Sequence, residues 1–94
     1  MHVISQKRIK DACKQYPESS SALLAWLKVM KQTNIASFAQ LKRLINSVDK
    51  VGEYHIFNIG GNKLRLIAFI DYKFHKIFIR DILTHQEYDK RRFV

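Results

Sequence analysis

Arg65, Arg80 and His85 are the side chains of this 94-residue chain best suited to chemistry on a phosphate. A guanidinium presents a planar fork of N–H donors that can engage two oxygens of one anion. An imidazole, with an ordinary pKa of ~6.5, can serve as acid or base near neutrality. Tyr88 follows His85 by three positions, and a helical turn would bring both to one side. Other chemistries find no footing. There is no GxSxG elbow, no P-loop and no closely spaced acidic pair for glycoside cleavage. His2, His55, His75 and His85 show neither HxH nor HExxH spacing, so no metal and no cofactor is expected. The lone Cys13 excludes an intramolecular disulfide, and it falls on the apolar stripe Ile9, Ala12, Cys13, Tyr16 as a buried structural thiol.

The elements that must position these groups lie between Glu53 and Asp89. Tyr54–Ile59 and Lys63–Asp71 are dense in β-branched and aromatic residues and read as strands. Gly60-Gly61-Asn62 between them suits a hairpin turn, since glycine reaches positive φ at little steric cost. A turn at Tyr72–His75 leads into a third strand, Lys76–Leu83. Side chains alternate along a strand, so Lys63, Arg65, Ile67 and Phe69 share one face. Leu64, Leu66, Ala68 and Ile70 form the other, wholly apolar and therefore buried. On the third strand Phe78, Arg80 and Ile82 share a face opposite Ile77, Ile79 and Leu83. An arginine within an apolar strand must be paired or reach solvent. Arg80 is then either a partner of Asp71, Asp81 or Asp89, or one half, with Arg65, of a concave basic site for an anion. His85 and Tyr88 can be read in two ways as well: His85 with Thr84 as the cap of a terminal turn whose Tyr88 packs on the sheet, or His85 and Tyr88 as working groups.

Upstream, His2-Val3-Ile4 reads as a short strand, and Ser5 as the N-cap of a helix that runs to about Gln15 and ends at Tyr16-Pro17. A second helix begins near Ser19-Ser20-Ser21. Its Leu23, Trp26, Leu27 and Met30 recur at the spacing of one apolar face, and Thr33–Asn34 ends it. Ser37 can cap a short turn carrying Phe38, Leu41 and Leu44. Ser47–Gly52 reads as a polar connector. The expected fold class is α+β, with a short N-terminal strand and a two-helix hairpin packed on a mainly antiparallel sheet with a three-strand C-terminal meander.

Hydrophobic residues make up 47% of the chain, which argues for a folded core. Ninety-four residues suit one domain spanning 1–94. No apolar run approaches the ~18 residues of a membrane span, and no signal peptide opens the sequence, so the expected compartment is the cytoplasm. The net charge of +9 favours a polyanionic partner. Both halves carry the excess: eight basic against two acidic side chains in residues 1–47, nine against six in 48–94. A membrane surface fits less well, because no helix joins a lysine-rich face to a wide apolar one.

Two runs, FNIGGNKLRLIAFI and FIRDILTHQEYD, resemble the HigB-type toxins of type II toxin–antitoxin pairs, which belong to the RelE-like ribonucleases. HVISQKRIKDACKQYP is similar to that family's opening strand and first helix, and the resemblance is weakest from about Ser19 to Lys50. It implies the compact RelE-like fold, and an endoribonuclease that cuts messenger RNA in the ribosomal decoding site without a metal. It also implies a cognate HigA-like antitoxin encoded beside it. In such cleavage the 2′-hydroxyl loses its proton and attacks the adjacent phosphate, and negative charge builds on the phosphorane. Arg65 and Arg80 suit the stabilisation of that charge. The family's C-terminal segment commonly supplies a functional tyrosine or histidine, a role carried by resemblance to His85 and Tyr88. Lys63 and Asn62 at the hairpin could touch the RNA backbone or a base edge, and Lys7 and Lys10 on the first helix could extend the basic surface. Relatives can carry a longer basic tail than the closing Lys90-Arg91-Arg92-Phe93-Val94.

Two other classes share these features. A non-catalytic module binding RNA or the ribosome would have the same charge and sheet, and an inactive toxin would only bind its antitoxin. Loss of His85 and Tyr88 separates the first from an enzyme. Replacing Arg65 and Arg80 together separates the second.

Overall fold

The computed structural model describes residues 1–90. Strand β1 (His2–Ile4) leads into helix α1 (Gln6–Gln15), a 3-10 turn (Pro17–Ser19) and helix α2 (Ser20–Gln32). Helix α3 (Phe38–Leu44) and strand β2 (Asp49–Val51) follow, then β3 (Tyr54–Ile59), β4 (Leu64–Asp71), β5 (Lys76–Thr84) and the short helix α4 (His85–Lys90). One sheet holds all five strands in the order β1-β5-β4-β3-β2. The meander β3-β4-β5 is antiparallel at its centre, as expected, and β1 adds to it in parallel through Val3↔Ile77.

Helices α1 and α2 pack together and cover one face of this sheet. Leu64, Leu66, Ala68 and Ile70 of β4 are all buried there, against Ile9, Leu23, Trp26 and Met30. Trp26 meets Phe57 edge to face at 5.2 Å, so it is a core residue. Cys13 packs against the same cluster, partly buried. His55 is also buried on this side, with Nε2 2.7 Å from the Tyr72 hydroxyl. Burial, and secondarily Lys50, lowers the imidazole from 6.5 to about 4, while burial raises the Tyr72 phenol to about 12.

Four local expectations are corrected. Ser47–Gly52 contains β2, whose Lys50 pairs with His55, so the polar connector is an edge strand. Lys63 lies in the turn and not in β4. Ser5 precedes α1 but makes no side-chain cap; its φ of 71° leaves the hydroxyl unable to fold back as an N-cap in extended conformation does. Ser37, extended at φ −158°, does cap α3 by accepting from Gln40 N.

The fourth correction concerns β5. Ile67 pairs with Asp81 and Ala68 with Ile79, so Arg80 is the extra residue of a β-bulge. The bulge reverses the alternation that a regular strand would keep. Beyond it Ile82 packs on the helix-side core and Leu83 joins the opposite face with Ile56 and Ile67.

Candidate active site

The outer face of the sheet, away from the helices, carries the candidate groups. Asn58, Ile56 and Tyr54 of β3 lie beside Arg65, Ile67 and Phe69 of β4. Ile56, Ile67 and Leu83 form a small second cluster at the centre, roofed in part by Tyr54 and Tyr88.

Arg65 is brought into this site by the turn before it. Gly60 and Gly61 both take positive φ, 62° and 71°, and reverse the chain within Gly60–Lys63. Asn62 then sits close enough for its Oδ1 to accept from Arg65 Nη2 at 3.0 Å. The same Nη2 lies 3.0 Å from His85 Nδ1, and Nη1 reaches Leu64 O at 3.4 Å. Arg65 is 9% exposed. Its acceptors among the described residues are an amide, a carbonyl and an imidazole, none of them anionic. Burying a guanidinium among neutral dipoles is costly, and an anion brought beside it would offset that cost.

His85 is positioned from both ends. Thr84 and Glu87 form a reciprocal capping box: Glu87 N donates to Thr84 Oγ1 at 3.1 Å, and Thr84 N donates to Glu87 Oε1 at 2.9 Å. His85 N donates across to Lys63 O at 3.2 Å, tying α4 to the hairpin. One turn on, Asp89 Oδ2 lies 3.4 Å from His85 Nε2. An arginine can only donate, so Nδ1 must hold a lone pair and Nε2 the proton that faces Asp89. The ring is thus set in one tautomer, with a basic nitrogen directed at Arg65.

The two arginines share the outer face but not their partners. Arg80 Nη1 donates to the Tyr54 hydroxyl at 3.1 Å, and its guanidinium stacks 5.0 Å from that ring. Tyr54 pairs with Phe69, four positions along β4 from Arg65. The two heads therefore diverge along the sheet. Tyr88 lies on Ile56, Ile67 and Leu83. Its packing on the sheet is as the capped-turn reading expects. Lys63 is exposed at the turn, whereas Lys7 and Lys10 are exposed on α1, in the helical layer on the other side of the sheet from Arg65.

A groove of about 410 Å³ opens beside His85, between the 3-10 turn on one side and the β3–β4 turn and α4 on the other. Tyr16, Glu18 and Ser19 form the first wall, and Asn62, Lys63 and Gln86 belong to the second. Tyr16 is hydrogen-bonded to Glu87, and burial first, then the Glu87 and Asp81 carboxylates, raise its phenol above the ordinary value. It therefore stays a donor and braces α4 against the 3-10 turn. The sequence reading missed this wall. The Thr84-x-x-Glu87 spacing of a capping box was the available signal for Glu87; nothing local links Tyr16 or Glu18 to His85.

Among the described residues, no group of three His, Cys, Asp or Glu side chains could hold a metal ion. No helix among them is long and apolar enough to cross a membrane. Residues 91–94, the last of the basic terminus, lie outside the described residues.

A helical hairpin on an antiparallel meander, with a buried arginine and a C-terminal histidine on the open face, is the architecture expected of the RelE-like class. The family model described as HigB toxin, "RelE-like toxic component of a toxin-antitoxin system", matches residues 19–91. The chain is 35% identical over 92 residues to the "mRNA interferase toxin HigB" of Escherichia coli K12, covering 95% of this chain and 88% of that protein. It matches the "mRNA interferase HigB" of Shigella flexneri equally well. It is 29% identical over 93 residues to the protein of that name from Escherichia coli O6:H1, covering 96% and 90%. The chain belongs to the HigB family of toxins of toxin–antitoxin systems. The matched residues include Ser19 to Lys50, the stretch in which the motif resemblance is weakest.

Proposed function

We propose that this chain, acting as a single domain over residues 1–94, is an mRNA interferase. In this reading it cuts translated messenger RNA on the ribosome in the cytoplasm, without a metal, and is silenced by a HigA-like antitoxin. The observation that carries the reading is Arg65, buried, without an anionic partner among the described residues, and bonded to His85 Nδ1. The names of the relatives, mRNA interferases, agree with it.

The geometry supports a concrete sequence of events. The scissile phosphate binds Arg65 and draws its Nη2 from His85 Nδ1, which frees that nitrogen as a base. The 2′-hydroxyl passes its proton to Nδ1 while its oxygen attacks the adjacent phosphorus. Asp89, facing Nε2–H, stabilises the imidazolium that forms. Arg65 and Arg80 hold the charge that builds on the phosphorane. The bond from phosphorus to the 5′-oxygen breaks, and Tyr88 supplies that oxygen with a proton. The products are a 2′,3′-cyclic phosphate and a 5′-hydroxyl. The ribosome supplies orientation of the RNA, which accounts for two arginines whose heads diverge before substrate is bound.

Primer extension on a messenger RNA in a purified translation system, with and without ribosomes, tests this. New stops only with ribosomes are the expected result. Stops without ribosomes would make the chain a free ribonuclease, and no stops with pure, folded protein would leave a binding module or an inactive toxin.

A further inference from the structure

The groove beside His85 contains a feature that a phosphate site would not. Glu18 is exposed on its 3-10 wall, and a carboxylate there repels the RNA backbone. The same carboxylate accepts hydrogen bonds from N–H groups. Lining the same groove are Gln86, exposed at the first turn of α4, and Asn62, whose oxygen is taken by Arg65 and whose NH2 pair remains to donate. Tyr16 and His85 contribute flat rings to the walls. Ser19, 2% exposed, backs the 3-10 wall.

We propose that this groove receives the nucleobase of one nucleotide flanking the scissile phosphate, and that Glu18 and Gln86 select bases bearing an exocyclic amino group over uracil. The inference rests on the reading of Arg65 and His85 as the cleavage site. A volume of about 410 Å³ falls within the range of small-ligand sites. An unpaired base is the part of an RNA that combines a flat ring with a donor and acceptor edge, and such edges are where single-stranded RNA is read. Adenine, cytosine and guanine each offer an amino group to the Glu18 carboxylate, while Gln86 can match the neighbouring ring position as donor or acceptor. Uracil flanks its one N–H with two carbonyl oxygens, which a carboxylate opposes. Lys63, which lines the groove two residues before Arg65 and is exposed at the turn, would take the adjoining phosphate. The division of labour is then acid for the base and cations for the backbone.

The test uses a messenger RNA with one strong cut site on programmed ribosomes, with the nucleotide on each side of the cut changed in turn to A, C, G and U. Single-turnover cleavage is followed for the parent, Glu18→Gln, Glu18→Ala and Gln86→Ala. At one of the two positions the parent should cut amino-bearing bases roughly tenfold or more faster than uracil, the discrimination expected of a paired contact to a base edge. Glu18→Gln should compress that ratio by raising the uracil rate, since an amide can donate to the uracil oxygens. Glu18→Ala should compress it by lowering the others. Unchanged ratios in both Glu18 variants overturn the proposal, as does loss of cleavage at every base in Glu18→Gln. A parent that cuts nothing brings down the cleavage reading and this inference together. A parent that cuts all bases alike removes this inference alone.

Discussion

Arg65 Nη2 and His85 Nδ1 stand 3.0 Å apart, twenty positions apart in the chain, with the arginine as the only possible donor. The contact holds the imidazole with its Nδ1 lone pair facing the guanidinium. In the absence of RNA the two groups satisfy each other. In the proposed mechanism a phosphate that claims the guanidinium would release the base, coupling binding and activation through one hydrogen bond.

Arg65→Lys should lower single-turnover cleavage by ~10²–10³, the cost of removing a placed donor to a developing oxyanion. Lysine keeps the charge but cannot bond Asn62, Leu64 O and His85 together from one planar head. Retained cleavage within a few-fold of the parent would remove Arg65 from the mechanism.

Arg80→Ala should abolish toxicity while the circular dichroism spectrum stays that of the parent, because the side chain is exposed and sits at a bulge. Tyr54→Phe should have a milder effect. It deletes the hydroxyl that accepts from Arg80 at 3.1 Å and leaves the ring on which the guanidinium stacks. A fully toxic Arg80→Ala strain would refute the catalytic role, and an unfolded protein would favour a structural ion pair.

Thr84→Ala removes one half of the capping box that fixes the first turn of α4. A loss of about 1 kcal/mol in urea unfolding is expected. Cleavage should fall further than stability explains, since His85 is the next residue. Equal cleavage at saturating folded protein would show that α4 is held without its cap.

Stability should decline in mild acid through His55. Its folded-state value of about 4 lies below the ordinary 6.5, so below pH 6.5 the unfolded chain takes up a proton that the folded chain refuses. The contribution is intact above 6.5 and is lost as pH falls toward 4, on the order of 3 kcal/mol across the window at about 1.4 kcal/mol per unit. Urea midpoints measured from pH 7.5 to 4.5 should fall for the parent and stay flatter for His55→Gln. Parallel curves would show that other groups govern the acid limb.

What could be read locally was read well, and for a local reason. Side-chain period, apolar stripes and positive-φ glycines are properties of neighbouring residues, so the meander, the two-helix hairpin and the Gly60-Gly61 turn follow from the sequence alone. The chemical types at Arg65, Arg80, His85 and Tyr88 were equally legible. Their arrangement was not. The bulge at Arg80 exchanges the faces of Ile82 and Leu83, and only the pairing of β5 with β4 decides where one extra residue is accommodated. The polar stretch Asp49–Val51 becomes a strand because β3 offers it an edge, and not through any alternation of its own. His85 meets Arg65 because β4 and β5 are in register through Leu83↔Arg65, and Glu18 comes to the same groove because α1 crosses the helix-side face. Sequence by itself determined which elements form and which groups are present, since both are set within a few residues. Tertiary structure decided which groups meet, since that depends on which distant faces bury one another.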